Sequence, residues 1–304
     1  MQESTMAKEK GNVISEYHLN RHQPDLLQLA IHDLNSYIKD HQGETTRPHI
    51  HSFYQVIWFK RGRGKHFVDF KAYEVSDGIL FFVAKNQVHY FDGNTRYEGV
   101  LIHFNEAFLM QKENEAEFCF QCSLFNHPYQ PPSWRIGNGI GAILDEYIAQ
   151  IKSELESKEE FGKEELLRNY LKSFLIQVQR RKNEQDKAED NLASVPDEKR
   201  MQLIRLVNLV DENYHKGLAV AEYARMLFVS PRTLSDLTHQ LLNKTPSQII
   251  QERIILEAQR LLLYSSLNVN QIGYRLGFAD ASYFVKYFRK HTKTSPSEFR
   301  KSVA

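Results

Sequence analysis

Apolar residues recur along this chain with two periods, and the change falls near Pro131-Pro132. From Pro48 to Phe104 the apolar runs are short and broken by turn residues. They are Phe53 to Phe59, Lys65 to Phe70, Ala72 to Val75, Ile79 to Ala84 and Gly99 to Phe104, with Gly62-Arg63-Gly64 and Asp77-Gly78 among the breaks. Short strands at this spacing predict a sandwich or barrel. Beyond Pro132 the spacing becomes helical. Ile140, Ile143, Leu144, Tyr147, Ile148 and Ile151 form one stripe, and Leu166, Leu167, Tyr170, Leu171, Phe174, Leu175 and Val178 form another. The charged link from Glu154 to Gly162 lets the two helices pair antiparallel and cover the strands. Ahead of all this, Met1 to Gln42 reads as a polar arm followed by early strands or a short helix.

Asn183 to Pro196 is polar, carries a proline and lacks a period, which predicts a linker. The helical period then returns. Met201 to Val210 makes a first helix, and Val220 to Leu227 and Pro231 to Leu242 make a pair, with Ser230 as N-cap and Pro231 in the first helical position. Ser247 to Tyr264 reads as one long helix. Ile272, Leu276, Phe284 and Phe288 lie at helical spacing around Leu276-Gly277-Phe278, where Gly277 permits a sharp turn and Asp280 is placed to cap the next helix. Ala224-x-x-Leu227 and Gly273-x-x-Leu276 form a weak internal repeat. The expected architecture is a multi-domain α+β chain: residues 1–182 form a β-barrel domain with a helical hairpin, 183–196 a linker, and 197–304 an all-α domain with two helix pairs.

A length of 304 residues suits two domains. The net charge of +1 hides an asymmetry, because Asp197 to Ala304 carries about six more Lys and Arg than Asp and Glu. A basic excess of this size attracts a polyphosphate without specifying sequence. No apolar run approaches bilayer length and the first residues lack an apolar signal segment, so a cytoplasmic protein with no membrane partner is expected. The only cysteines, Cys119 and Cys122, imply no disulfide framework. Their spacing fits a zinc half-site with His127 nearby, but two small half-buried residues explain it more simply.

His49-x-His51 and Asn86-Gln-Val-His89 are similar to the two histidine motifs of the cupin barrel. With His49 and His51 inward, period two also turns Phe53, Gln55, Ile57 and Phe59 inward and leaves Tyr54, Val56 and Trp58 for the outer layer. His49, His51, Phe53, Gln55, Ile57 and His89 are therefore the candidate effector contacts. Three histidines also invite a metal. A metal cupin usually adds a carboxylate, whereas Gln55 stands at the corresponding place here, so structural or ligand-contacting histidines with no metal and no cofactor are the expectation.

Ile272, Leu276, Gly277, Phe278, Asp280, Ser282, Tyr283, Phe284, Lys286, Phe288, Ser295, Pro296 and Arg300 closely resemble the second helix-turn-helix of the AraC/XylS family of transcriptional regulators. The earlier pair resembles the family's first. The resemblance implies a DNA-binding transcription regulator, most often an activator, rather than an enzyme. Its implied partners are double-stranded DNA, a small-molecule effector in the barrel, RNA polymerase and a second copy in a homodimer. It also implies base contacts at Arg232, Thr233, Ser235 and Asp236 and at Ala281, Ser282, Val285 and Lys286, with Arg289 and Lys290 adding to the grip. The first set departs from the family: Asp236 stands where relatives tend to be basic, and His239-Gln240 replace a basic pair. Two other readings stay open: a regulator whose barrel only dimerises, and a metal-dependent cupin enzyme with a DNA-binding tail.

Overall fold

The structure is a computed structural model that describes residues 15–20, 26–93, 96–109, 124–125, 131–137, 139–158, 160–189 and 197–302. The chain divides into two compact units, Ser15–Ser194 and Val195–Ala304.

In the first unit, ten strands follow in chain order: β1 Ser15–Tyr17, β2 Leu29–Asp33, β3 His49–His51, β4 Tyr54–Arg61, β5 Gly64–Val68, β6 Lys71–Val75, β7 Ile79–Val83, β8 His89–Phe91, β9 Glu98–Phe104 and β10 Ser133–Arg135. They form two five-stranded sheets, ordered β1-β3-β8-β5-β6 and β10-β7-β4-β9-β2. The expected sandwich or barrel takes the form of two facing sheets, and no ladder among the described residues closes them into one. All pairings are antiparallel except β1 with β3. Short helices α1 Leu34–Asp40 and α2 Gln42–Thr45 link β2 to β3, and α3 Glu106–Leu109 follows β9.

The alternation along β4 divides the unit into two cores. Val56 and Trp58 face outward with Leu80, Phe82, Val100, Ile102 and Phe104 of its neighbours. Ile57 and Phe59 face inward with Phe81, Val83 and Leu101, and there they meet Val68, Val75 and Phe91 of the other sheet. β-Branched and aromatic residues dominate β4, β7 and β9, as strands buried on both faces require.

Two helices cover the outer face, α4 Gly141–Glu156 and α5 Lys163–Glu189. Leu144, Ile148 and Ile151 of α4 and Leu167, Leu171, Phe174, Leu175 and Val178 of α5 share one core with the outward residues of the sheet. Ile143 and Leu166 lie off these stripes and are exposed. Helix α5 also runs through the first seven residues of the stretch read as a linker. Asn183 to Glu189 contains neither Gly nor Pro and is rich in good helix formers, so propensity extends the helix where the apolar period has stopped.

The second unit is all helical. After α6 Asp197–Asn213 and a 3₁₀ turn at Tyr214–Lys216 come α7 Val220–Met226, α8 Pro231–Leu242, α9 Pro246–Tyr264, α10 Val269–Arg275, α11 Ala281–Thr292 and α12 Pro296–Ser302. The α7–α8 and α10–α11 pairs are the two helix-turn-helix units. Each second helix is capped as its sequence predicts. Thr233 N–H donates to Ser230 Oγ at 3.0 Å, and Ser282 N–H donates to Asp280 Oδ1 at 2.8 Å. Ala258 and Leu262 of α9 pack with Ile272, Leu276, Phe284 and Phe288. Two arginines tie other helices to α9. Arg253 of α9 pairs with Asp211 of α6 and lies over the Tyr214 ring at 4.2 Å, while Arg300 of α12 donates to the carbonyls of Leu262 at 2.7 Å and Leu267 at 2.6 Å. Arg300, part of the sequence signature, is thus a structural clamp on the end of α9.

The two turns solve one backbone problem with different residues. Gly277 has φ +86°, and a Cβ there would lie 1.9 Å from the carbonyl oxygen of His215. Phe228, which follows Leu227 as Gly277 follows Leu276, has φ +56° with its ring 96% exposed. Gly277→Ala should destabilise the second unit by about 3 kcal/mol or more, through both the clash and the left-handed backbone. Phe228→Gly should stabilise it by up to about 1 kcal/mol, since relief of the left-handed strain outweighs the added freedom of the unfolded chain. Urea unfolding of the two variants, followed by helical circular dichroism, checks both signs.

Candidate ligand chamber and recognition helices

Period two on four strands brings a cluster of histidines to the space between the sheets, with Gln55 of a fifth among them. In register, His49 on β3 faces His89 on β8, and Gln55 on β4 faces His103 on β9. His66 on β5 lies opposite Phe91, next to His89. Ring centroids are 4.3 Å apart for His49 and His89, 4.8 Å for His49 and His51, and 4.8 Å for His51 and His89. His66 stands 5.3 Å from His89, and His103 stands 5.9 Å from His51. Phe53 stacks on His51 at 4.4 Å.

Every one of the six candidate effector residues is buried, and so are His66 and His103. The structure therefore brings His49, His51, Phe53, Gln55 and His89 together, with Ile57 deeper along β4 among the inward apolar residues. His49 Nδ1–H donates to the Arg47 carbonyl at 2.8 Å, and His51 Nδ1 shares a hydrogen with His89 Nε2 at 3.1 Å. Other polar atoms are not matched. Gln55 Oε1, His89 Nδ1 and both ring nitrogens of His66 and of His103 are buried without a hydrogen-bond partner among the described residues. Each such group costs roughly 1–3 kcal/mol unless something satisfies it.

Burial, the largest cause in every case, keeps these rings neutral. It lowers His49 to about 4, against an opposing hydrogen bond from Arg47, and lowers His66 to about 3 with help from repulsion by His49. His51, His89 and His103 are held well below the ordinary histidine range by burial and then by neighbouring imidazoles, His49 first for His51 and His89 and His32 first for His103. Tyr17, edge-on to His49 at 5.6 Å, is pushed up to about 12 by burial and then by Glu44. Cys119, Cys122 and His127 lie outside the described residues.

The recognition helices present their candidate residues differently. On α8, Arg232, Thr233 and Asp236 are exposed and Ser235 is half-buried, while Leu234, Leu237 and Thr238 face inward. On α11, Ser282, Lys286, Arg289 and Lys290 are exposed and Val285 is half-buried. Ala281 is the exception to the expected outer face. It is 8% exposed, because residues 281, 284 and 288 share the buried stripe of α11. Arg232, Lys286, Arg289 and Lys290 form no ion pair among the described residues. Beside His239-Gln240, Lys199 of α6 donates to Gln240 Oε1 at 2.8 Å.

A profile described as the AraC-like ligand binding domain matches residues 33–171, and one described as a helix-turn-helix domain matches residues 223–302. Together the two matches give the chain the two domains of an AraC/XylS-type transcriptional regulator. It is 24% identical over 264 residues to the HTH-type transcriptional activator RhaS of Enterobacter sp. (strain 638), across 83% of this chain and 86% of that protein. It is 23% identical over 266 residues to RhaS of Escherichia coli O81 (strain ED1a), with the same coverage. Among solved structures, ToxT from Vibrio cholerae is 16% identical, with a TM-score of 0.41 over 90% of this chain and 97% of that one. An AraC-type regulator from Chromobacterium violaceum is 29% identical, with a TM-score of 0.33 over 36% of this chain and 97% of that one. The chain is a DNA-binding transcription regulator with a ligand-binding domain, and its domains and relatives are those of a regulator rather than an enzyme. No helix among its described residues is long and apolar enough to cross a membrane.

Two chamber residues of the regulator, His66 and His103, escape the motif comparison because they belong to neither histidine motif. The signal for His103 is period two along β9, where it alternates with Ile102 and Phe104 of the outer core. Neutral buried histidines also set a pH dependence. Below about 6.5 the unfolded chain takes up protons that the folded chamber refuses, so the stabilisation is complete above 6.5 and is lost as pH falls towards about 4. Each such histidine contributes a slope of up to about 1.4 kcal/mol per pH unit in that window. Thermal unfolding of the regulator in chelator should show a midpoint that falls steadily from pH 6.5 to pH 4.5. His66→Leu should flatten the slope by about one histidine's worth.

Proposed function

We propose that this regulator is an activator under the control of a small-molecule effector, and that it works as a cytoplasmic homodimer on double-stranded DNA with RNA polymerase as its downstream partner. The observation that carries the DNA reading is the pair of capped helices α8 and α11, each exposing a polar face, with both pairs packed against α9. At 1.5 Å per residue the 19 residues of α9 span roughly 28 Å, close to the ~34 Å that separates successive major grooves on one face of a duplex. One chain then reads two grooves, with Arg232, Thr233, Ser235 and Asp236 in the first and Ser282, Val285 and Lys286 in the second. Arg289 and Lys290 add phosphate contacts.

The chamber supports the effector reading through its buried, unsatisfied polar atoms beside His49, His51, Phe53, Gln55, Ile57 and His89. Ile143, Phe161 and Leu166 are exposed apolar residues on the α4–α5 hairpin, and they support that hairpin as the dimer contact. The relatives it matches are named activators, which supports the sign of regulation. A regulator whose first unit only dimerises is the second reading, and the exposed apolar hairpin favours it. A thermal-shift screen of the full chain against small metabolites separates the two: a stabilising compound supports effector control, and no shift across a broad panel supports dimerisation alone.

Lys286→Ala should weaken binding to specific and random duplexes alike and reduce the slope of log affinity against log salt by about 1. Asp236→Ala should instead relax discrimination at one base pair by about 1–3 kcal/mol, as expected for a carboxylate that accepts from cytosine N4. Fluorescence anisotropy at several salt concentrations, on a selected site and on random DNA, checks both. Unchanged affinity and slope in Lys286→Ala would show that α11 does not dock in a groove.

A further inference from the structure

The chamber gathers more imidazole than packing alone requires. His49, His51 and His89 each offer a ring nitrogen, and these three atoms lie within 4.8 Å of one another. His66 and His103 stand one ring further out, and their four nitrogens, with His89 Nδ1, have no hydrogen-bond partner among the described residues. The rings of the central three are nearly in contact, at centroid distances of 4.3 to 4.8 Å. The narrow gap between their edges suits a single ion.

We infer that His49, His51 and His89 form a carboxylate-free site for one divalent transition-metal ion of the zinc, cobalt and nickel class. Its regulatory consequence rests on the effector reading above. Imidazole nitrogens suit these ions, whereas calcium and magnesium take oxygen ligands. The Nδ1–H of His49 is fixed on the Arg47 carbonyl, which leaves Nε2 as the ligand atom, and metal-bound histidines are commonly oriented in this way. Each neutral imidazole has one ring nitrogen with a lone pair to give, and the hydrogen shared by His51 and His89 can move to the far nitrogen of its ring as the ion enters, so no net proton is released. Nitrogens at ~2.0–2.1 Å from a tetrahedral ion stand roughly 3.4 Å apart, so the widest pair closes by roughly 1.4 Å through side-chain rotation. Gln55, beside His51, offers an amide oxygen that can accept a hydrogen from water in the fourth position.

The test uses Co²⁺ and Zn²⁺ on the full chain after stripping with chelator. Co²⁺ should produce visible d–d absorption that saturates at one ion per chain and is displaced by Zn²⁺. His51→Gln and His89→Gln should each weaken Co²⁺ binding by about 100-fold or more. His215→Gln, at an exposed position of the second unit, should leave it unchanged. Buried substitutions can unfold a domain, so X-ray absorption of the unaltered Zn²⁺ form provides an independent reading, with an all nitrogen and oxygen shell expected at ~2.0–2.1 Å. Sulfur in that shell, which would place the ion at Cys119 and Cys122, overturns the inference. So does a lack of d–d absorption, or unchanged binding in both folded variants. Metal binding that leaves DNA affinity untouched supports the site and removes its regulatory consequence, while the metabolite screen decides the effector reading whichever way the metal test falls.

Discussion

The first unit depends on a strand that must satisfy two cores at once. Along β4, Val56 and Trp58 are committed to the helical hairpin while Gln55, Ile57 and Phe59 are committed to the space between the sheets. A slip of one residue would exchange the two sets and bury Trp58 among the histidines. The ladders to β7 and β9 on either side hold that register and place His103 across from Gln55. The chamber is therefore as rigid as the apolar core behind it. That rigidity is how the structure sustains polar atoms that nothing among the described residues satisfies.

The second unit meets its constraint at the turns. Each helix pair needs a left-handed residue between its helices, and each second helix needs a side chain to take its first free N–H groups. Gly277 and Asp280 do this for one pair, and Phe228 and Ser230 do it for the other. Ala224 and Gly273 show the same economy. Both are buried, and at Gly273 an added Cβ would come within 3.1 Å of Phe284. Small residues let the two helices approach, and close approach fixes which face of the second helix is left for a ligand.

Much of this was legible because it follows from local rules. The strand runs, the division of β4, the caps at Ser230 and Asp280 and the bounds of Pro231–Leu242 follow from period and capping chemistry. What was not legible came from distant parts of the chain. His66 joins His89 only because β5 pairs with β8, and Lys199 reaches Gln240 only because α6 packs against α8. Ala281 is a subtler case. Directly after its cap it reads as a surface position, and only the 281, 284, 288 stripe shows that the core takes it. The end of α5 was missed for the opposite reason, because helix propensity there acts without an apolar period to reveal it.

The placement of charge on the recognition helices bears on how such a chain can discriminate. On α8 the exposed Arg232 and Asp236 nearly cancel, so the long-range attraction of that helix to phosphate is small and its short-range hydrogen-bonding groups dominate. On α11, Lys286, Arg289 and Lys290 add with no acidic residue on the same helix to offset them. Phosphate attraction is screened by salt, whereas a base-edge hydrogen bond formed within a groove is far less so. On the proposed reading, rising salt therefore weakens α11 first and leaves selectivity with α8. On the same proposed reading, a regulator built this way finds DNA through its second helix-turn-helix and chooses its site through the first.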